Sequence, residues 1–393
     1  MIAVIADDFT GAAEIGGIGL KYGLKVVIET QVNWVEGTDL LIIAADTRSL
    51  PEEAAFLETE KITTALLELN PEYIFKKLDS VLRGNIVAEL MAQLKSTGKK
   101  RAIMVAGNPS FGRLIVDGKY SVNGVPLAET SFADDPDFPV KSSDVTQIVE
   151  SDMIAVYSAS VDNKLPGEGI IVGDVKSQED MIDWVERIDG ETVVAGGAGF
   201  FDTILMKQFA EVKADCKECF ELGDVSLLVF GSKYPKADSM PMGLSGKNTV
   251  KINMPDAIYE NSSFDEAELK HWAENVVNNL KNKFNVIVSA DQNHSNEANL
   301  SARIGRNTAE LVKIVVESIP ITDLLIEGGA TTSEILKVIG VNKLFPGKLV
   351  YPGIIQMSTK EYPNMAITTK PGSYPWPDTV ELTKTKNKIV DKI

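Results

Sequence analysis

The chain has 393 residues, 44% hydrophobic and 24% charged. That is too long for one ordinary domain, and it excludes a disordered, collagen-like or disulfide-scaffold protein. Its 39 basic residues face 56 acidic ones, for a formal net charge of −17. Such a balance argues against non-specific binding to nucleic acid or an anionic membrane, while backbone N–H groups and a few placed cations still permit a local anion site.

In chain order, residues 2–6 form an apolar run rich in β-branched side chains, ending at Asp7 and Asp8. The form repeats at 40–45 before Asp46, at 73–75 before Lys76 and Lys77, and at 102–106 before Gly107. Helical patterns lie between these runs at about 11–21, 51–69 and 85–97. Pro51 falls early in the second, where a first turn tolerates it. Continuous apolar strands alternating with helices predict a parallel sheet buried on both faces. Ligands sit at the carboxyl ends of such strands, so the residues after each run are the ones to inspect. The stretch 107–145, rich in Gly, Pro and Asp, predicts a long ordered excursion with a hairpin at Asn123-Gly124. Strands are expected at about 154–157, 169–172 and 192–195, and GGAG (196–199) reads as a plain turn near the domain edge. A second series opens near 225, with strands at 225–230, 250–252, 286–289 and 324–326 and helices at 265–282, 299–318 and up to about 339. The charged segment 211–224 is the expected boundary, giving domains 1–220 and 221–393. The closing KTKNKIVDKI reads as a short basic helix or tail.

Cys216 and Cys219 form a lone CKEC in a charged segment, and reduced surface thiols are the plainer reading than a redox pair. A structural zinc site needs four ligands, and the histidines are only His271 and His294, read as a surface helix position and part of a polar loop. Trp34, Trp184 and Trp272 read as packing residues, and Trp376, in a Pro-rich loop, as a weaker candidate for stacking on a base. No apolar run has the roughly 18–20 residues of a membrane helix, and MIAVIADD lacks the basic start of a signal peptide. Cytoplasm is the expected compartment.

Four motifs carry candidate chemistry. In ADDFTGAAE, the helix start at Thr10-Gly11 offers free N–H groups to an anion. Asp7 and Asp8 are placed to bind ligand hydroxyls or act as a base, with helix capping by Asp8 as the plain alternative. FKKLDSVLRGN (75–85) sets Lys76, Lys77, Asp79, Ser80, Arg83 and Asn85 at another strand-to-helix junction. Arg83 suits a carboxylate, which its planar fork grips bidentately, and Asp79 suits taking a proton from a hydroxyl. GNPSFGR (107–113) adds Arg113 as a second cation for an acidic ligand. FGSKYP (230–235) and IEGGATTSEIL (326–336) each follow a strand, and with KPGSYPWPD (370–378) they suggest a nucleotide pocket. There Gly328 and Gly329 let a phosphate approach the backbone, and Thr331 to Ser333 offer hydroxyls at a helix start. No GxxxxGK[ST] occurs, and the first strand leads into no G-x-G-x-x-G.

ADDFTGAAE, KKLDSVLRGN, NPSFGRLIVDGKYSVNGVPLAETSFADDPDFPV, FGSK and EGGATTSEIL occur in the order seen in the four-carbon acid sugar kinases, which the chain resembles over almost its whole length. The resemblance implies two α/β domains with largely parallel sheets, an N-terminal Rossmann-like sugar-acid domain and a C-terminal nucleotide-binding domain. It implies ATP-dependent phosphorylation, with Mg²⁺, of the terminal hydroxyl of threonate, erythronate or 3-oxo-tetronate. Asp7, Asp8, Lys76, Asp79, Arg83 and Arg113 then fall in the substrate site, with Asp79 the first choice of base and Asp8 the second. Ser232, Gly328, Gly329, Ala330, Thr331 and Gly372 fall on nucleotide-binding positions. A homodimer is one oligomeric state open to such a chain. Ala330 stands where the family often has an acidic residue, KYPKADSM follows the Gly-Ser motif, and Pro375 stands where a small residue is usual. An NAD(P)-dependent oxidoreductase and a non-catalytic sugar-acid sensor are the alternatives.

Overall fold

Strands near the start of the chain are buried on both faces because helices cover both faces of their sheet. They are β1 (Ile2–Ala6), β2 (Val26–Glu29), β3 (Leu40–Ala44), β4 (Ile74–Lys77) and β5 (Arg101–Val105). Beyond them come β6 (Arg113–Val116), β7 (Lys119–Val122), β8 (Val125–Pro126), β9 (Val156–Ala159), β10 (Gly169–Gly173) and β11 (Thr192–Gly196). The helices of this half are α1 (Phe9–Lys21), α2 (Glu52–Glu68), α3 (Ile86–Thr97), α4 (Val145–Ile148), α5 (Gln178–Glu186) and α6 (Ala198–Gln208). This computed structural model describes residues 1–135, 138–209, 220–231, 248–260, 266–290, 300–372 and 383–384. The chain splits into two units, Met1–Lys213 and Ala214–Ile393.

In the first unit the sheet runs β2-β3-β1-β4-β11-β5-β10-β9. Every pairing is parallel. Helices α1, α5 and α6 pack as one layer, and α2 packs with α3 as another. Alternation along β4 shows the two faces. Phe75 packs with tilted rings against Phe200 and Phe201 of α6, while Lys76 points to Glu89 of α3 and Lys77 back toward Glu14 of α1. The chain leaves β1 toward β2 and β3 on one side and later enters β4 on the other. Their carboxyl ends therefore open a crevice of the kind that binds ligands in wound sheets.

The expected strands and helices of this unit are present, with ends shifted by a residue or two. Pro51 lies just before α2, with φ −54, and not inside its first turn. The Asn123-Gly124 hairpin forms: β7 pairs antiparallel with β8, and both turn residues are left-handed at φ 51 and 80, as a primed turn demands. A second such turn, Asp117-Gly118, joins β6 to β7. GGAG is no edge turn. It carries the end of β11, between β4 and β5, into α6, and Gly196 is packed where a Cβ would overlap the Val105 carbonyl. Trp34 is 56% exposed and so lies outside the core, whereas Trp184 and Trp272 are buried core, worth about 1.5–3 kcal/mol or more each by area.

The second unit contains β12 (Glu221–Leu222), β13 (Ser226–Phe230), β14 (Thr249–Asn253), β15 (Asn285–Ser289), β16 (Asp323–Glu327), β17 (Lys343–Tyr351), β18 (Ile354–Ser358), β19 (Ala366–Lys370) and β20 (Thr383–Lys384). Its helices are α7 (Asp256–Glu260), α8 (Glu266–Lys281), α9 (Leu300–Ser318) and α10 (Gly329–Val338). The main strands run β14-β15-β13-β16-β19-β18-β17. They are parallel through β19 and antiparallel beyond it. The antiparallel end was not expected. β17 is half-exposed, carries Pro346 and alternates, so it shows no continuous apolar run. Ser232, Cys216, Cys219, His294, Trp376 and the basic C-terminus lie outside the described residues, as does most of the boundary segment 211–224.

Candidate functional site

Asp7 and Asp8 follow β1 at the crevice. Asp8 is the N-cap of α1, its Oδ1 accepting from the Gly11 N–H at 2.7 Å, so the capping role is real. Capping engages one oxygen only. The other accepts from a residue that sequence reasoning passed over, Arg48, which follows β3. Arg48 donates Nε to Asp7 Oδ2 at 2.7 Å and Nη1 to Asp8 Oδ2 at 2.8 Å, with Nη2 3.8 Å from Asp79 Oδ1. One guanidinium thus ties together acids from two strand ends. The available signal was its position after the 40–45 run, in the same class of place as Asp7 and Asp79.

Burial raises the Asp7 carboxyl, but Arg48, Lys76 and Lys77 outweigh it and hold the group below the ordinary range. Burial, with Asp7 beside it, pushes Asp8 up instead. Asp7 Oδ1 is buried and has no hydrogen-bond partner. A buried carboxylate oxygen without a donor is costly, and a ligand hydroxyl would supply one.

The turn after β4 holds the second group. Asp79 Oδ2 accepts from Arg83 Nε at 2.8 Å and from the backbone N–H of Val81 and Arg83, while Oδ1 accepts from Arg83 Nη2 at 2.9 Å. Burial opposes ionisation, yet Arg48 and Arg83 hold Asp79 far below the usual carboxylate range. Arg83 also donates Nη1 to Asp135 at 2.7 Å and lies over the Phe132 ring. Asp79 thus accepts four hydrogen bonds, against two at Asp8, which departs from its expected part as first-choice base. Lys76 is likewise not presented to a ligand. It is fully buried, 3.1 Å from Glu89.

Gly84 and Asn85 fasten this turn to the Arg48 loop. Gly84 has φ +89, and a Cβ there would lie 2.8 Å from Arg48 Cγ, so only glycine fits. Asn85 donates Nδ2 toward the carbonyls of Thr47, Arg48 and Leu50.

Arg113, at the start of β6, donates Nη1 to Ser80 Oγ. It has no acidic partner among the described residues, unlike Arg48 and Arg83. Tyr120 donates to the Ser80 carbonyl, so the excursion is pinned onto the Asp79 turn. Asp7, Asp8, Arg48, Asp79, Arg83 and Arg113 thus share one network at the β1, β3 and β4 ends, with Arg113 reached through Ser80.

In the second unit, Gly328, Gly329, Ala330 and Thr331 form the junction from β16 into α10, with Gly328 at φ +103. Gly231, after β13, lies so close that a Cβ would overlap the Thr331 hydroxyl. Gly372 follows β19, so these residues come together at neighbouring strand ends. Two charged residues there were missed: Lys370 and Glu327 are buried and paired at 3.2 Å, and Lys370 donates to the Pro371 carbonyl. Burial lowers the Lys370 ammonium despite Glu327. Among the described residues, no three His, Cys, Asp or Glu converge to hold a metal ion.

Residues 2–204 match a family model described as a sugar-binding N-terminal domain, and 237–374 match one described as a nucleotide-binding C-terminal domain. The chain belongs to the four-carbon acid sugar kinase family. Within that family it is 34% identical over 195 residues to a D-threonate kinase of Salmonella typhimurium, covering 45% of this chain and 46% of the relative. It is 31% identical over 228 residues to a D-erythronate kinase of Heliobacterium modesticaldum, covering 52% of each. These matches span about half the length of those relatives. A solved structure of a Salmonella typhimurium LT2 protein superposes with a TM-score of 0.76 at 18% identity, over 96% of this chain and 97% of that one, which supports the fold alone. No helix among the described residues is long and apolar enough to cross a membrane.

Proposed function

We propose that this member of the family transfers the γ-phosphoryl group of ATP, as its Mg²⁺ complex, to the terminal hydroxyl of a four-carbon sugar acid: threonate, erythronate or 3-oxo-tetronate. The observation that carries the reading is the division of labour among three arginines at one sheet end. Arg48 and Arg83 are neutralised by Asp7, Asp8, Asp79 and Asp135, whereas Arg113 faces no acid among the described residues. Arg113 would pair the substrate carboxylate. Asp7 Oδ1 would accept a substrate hydroxyl, and a site built to bond hydroxyls penalises a compound lacking one. Asp8, raised by burial and with accepting capacity left, would take the proton from the attacking hydroxyl in preference to the saturated Asp79. Asp79 and Arg83 would brace the site, and Lys76 would act through Asp7.

The sugar-acid half is taken as 1–220 and the nucleotide half as 221–393. Gly328, Gly329, Ala330, Thr331 and Gly372, with Ser232, would bind the nucleotide, because bare backbone at a helix start suits phosphate. Mg²⁺ keeps waters and binds through few protein ligands, so phosphate oxygens would carry it and it would neutralise developing charge. With ATP as donor, the cytoplasm is the proposed setting.

The test is ADP release from Mg-ATP with a panel of four-carbon sugar acids, for the wild type and the Asp8→Asn and Asp79→Asn variants. Turnover on an acid, lost in Asp8→Asn, supports the reading. Turnover surviving Asp8→Asn and abolished only in Asp79→Asn returns the base to Asp79. No ADP release with any acid from folded protein removes the kinase reading and favours a sensor.

A further inference from the structure

Lys76 and Glu89 are among the most thoroughly buried ionic groups of the chain, at 0% and 1% exposure, and neither reaches the crevice. Burying two charges is expensive, and an apolar pair of similar size commonly serves stability as well or better. Their retention therefore calls for a reason other than stability. Glu89 Oε2 meets Lys76 Nζ at 3.1 Å, and its Oε1 accepts the hydroxyl proton of Thr47. Thr47 is fully buried and immediately precedes Arg48, and Asn85 of the same α3 region holds the Thr47 carbonyl at 2.9 Å. Glu89 thus lies one turn into α3 with its carboxylate strung between strand β4 and the Arg48 loop.

We propose that Thr47, Lys76 and Glu89 form a buried strut that positions Arg48 across Asp7 and Asp8, making Glu89 and Thr47 positioning residues for phosphoryl transfer. The inference rests on the reading of Asp7, Asp8 and Arg48 as the substrate-facing group. Glu89 fixes the hydroxyl of Thr47, Thr47 fixes the backbone of Arg48, and Lys76 holds Glu89 in place while its charge also acts on Asp7. Asp7 is faced by Asp8 from its own segment, Arg48 from the β3–α2 loop, Lys76 and Lys77 from β4, and Glu89 from α3. Without Lys76, burial acts on Asp7 less opposed, and the acid limb of the pH–rate profile moves to higher pH.

Thr47→Val, Lys76→Met and Glu89→Leu made together replace the strut by apolar groups of similar size. The expected result is a folded protein melting near wild type, with kcat reduced on the order of 10–100-fold. Turnover at the wild-type value would overturn the proposal, because the network would then be structural only. Thr47→Val alone covers a triple variant that does not fold. It loses kcat while Thr47→Ser, which restores the hydroxyl, regains it; wild-type kcat in Thr47→Val is the overturning result. A crystal structure of Thr47→Val reads the geometry without any assay. Arg48 displaced from its 2.7 and 2.8 Å contacts supports the strut, and Arg48 unmoved refutes it. That readout stands even if no sugar acid is phosphorylated, so it separates failure of the strut from failure of the kinase reading.

Discussion

Arg48 has three acids and one guanidinium to serve them, so its replacement exposes how the site is balanced. Arg48→Met leaves Asp7 buried without its nearest cation, and breaking a buried pair costs about 3–5 kcal/mol. We expect turnover to fall on the order of 10²–10³-fold, with Arg48→Lys recovering little, because an ammonium cannot donate to Asp7 and Asp8 along two fixed directions. Steady-state kinetics beside thermal melts separate the two effects. The acids also set a pH signature. Asp79 has a depressed folded pKa, so its stabilisation is fully present above the unfolded value of about 3.9 and is lost as pH falls toward the folded one. Asp8 is raised, so its contribution has the opposite sign: it is present below the unfolded value and lost as pH rises through the folded one. Urea melts between about pH 4 and 2, below the window in which Asp8 titrates with the opposite sign, should therefore weaken on acidification in the wild type and flatten in Asp79→Asn. An unchanged slope in that variant would show that other carboxylates dominate acid unfolding.

At the scale of elements, the turn into α3 matters more than its length suggests. Gly84→Ala and Gly124→Ala make a matched pair. Both glycines have positive φ, at +89 and +80, but a Cβ at 84 meets Arg48 whereas one at 124 has nothing within 4 Å. Each substitution should cost about 1 kcal/mol of backbone strain, and Gly84→Ala more because the Arg48 side chain must give way, read as a lower melting temperature. Only Gly84→Ala should also depress kcat, and equal kinetic loss in both would deny the Arg48 loop its role. Much of this architecture was legible in the sequence. β1, β3, β4 and β5 are short β-branched or apolar runs, and the acids and Arg83 sit at their carboxyl ends, where a parallel sheet puts its ligands. What stayed hidden had physical causes. Arg48 follows its strand in ADTRS, which has no motif, and its importance arises from acids that fold against it from β1 and β4. Glu89 reads as one more charge on a helix until Lys76 arrives from another strand. The β17–β19 end alternates where a continuous run was the sign of a strand, and GGAG resembles a turn until its neighbours on both sides are known.

For the molecule as a whole, the charge of −17 creates a problem that local geometry must solve. Both proposed substrates are anions, so the far field repels them, in contrast to enzymes whose net charge steers substrates inward. The compensating cation is local: Arg113 in the first unit has no acidic partner among the described residues, while the other arginines of the crevice are already neutralised. Long-range repulsion and short-range attraction respond differently to salt. The Debye length shrinks from about 30 Å at 0.01 M to about 10 Å at 0.1 M, which screens the distant carboxylates before it screens a cation in contact with the ligand. We therefore expect kcat/KM for the sugar acid to rise modestly, by about two- to threefold, as ionic strength increases over that range, and then to fall as contact pairing weakens. Arg113→Gln should lose the later fall and keep the early rise, because the rise belongs to the whole surface and the fall to one guanidinium. Stopped-flow or initial-rate measurements across a salt series would check it. A wild-type rate that decreases from the lowest salt onward would mean that the crevice cations, not the net charge, govern the encounter.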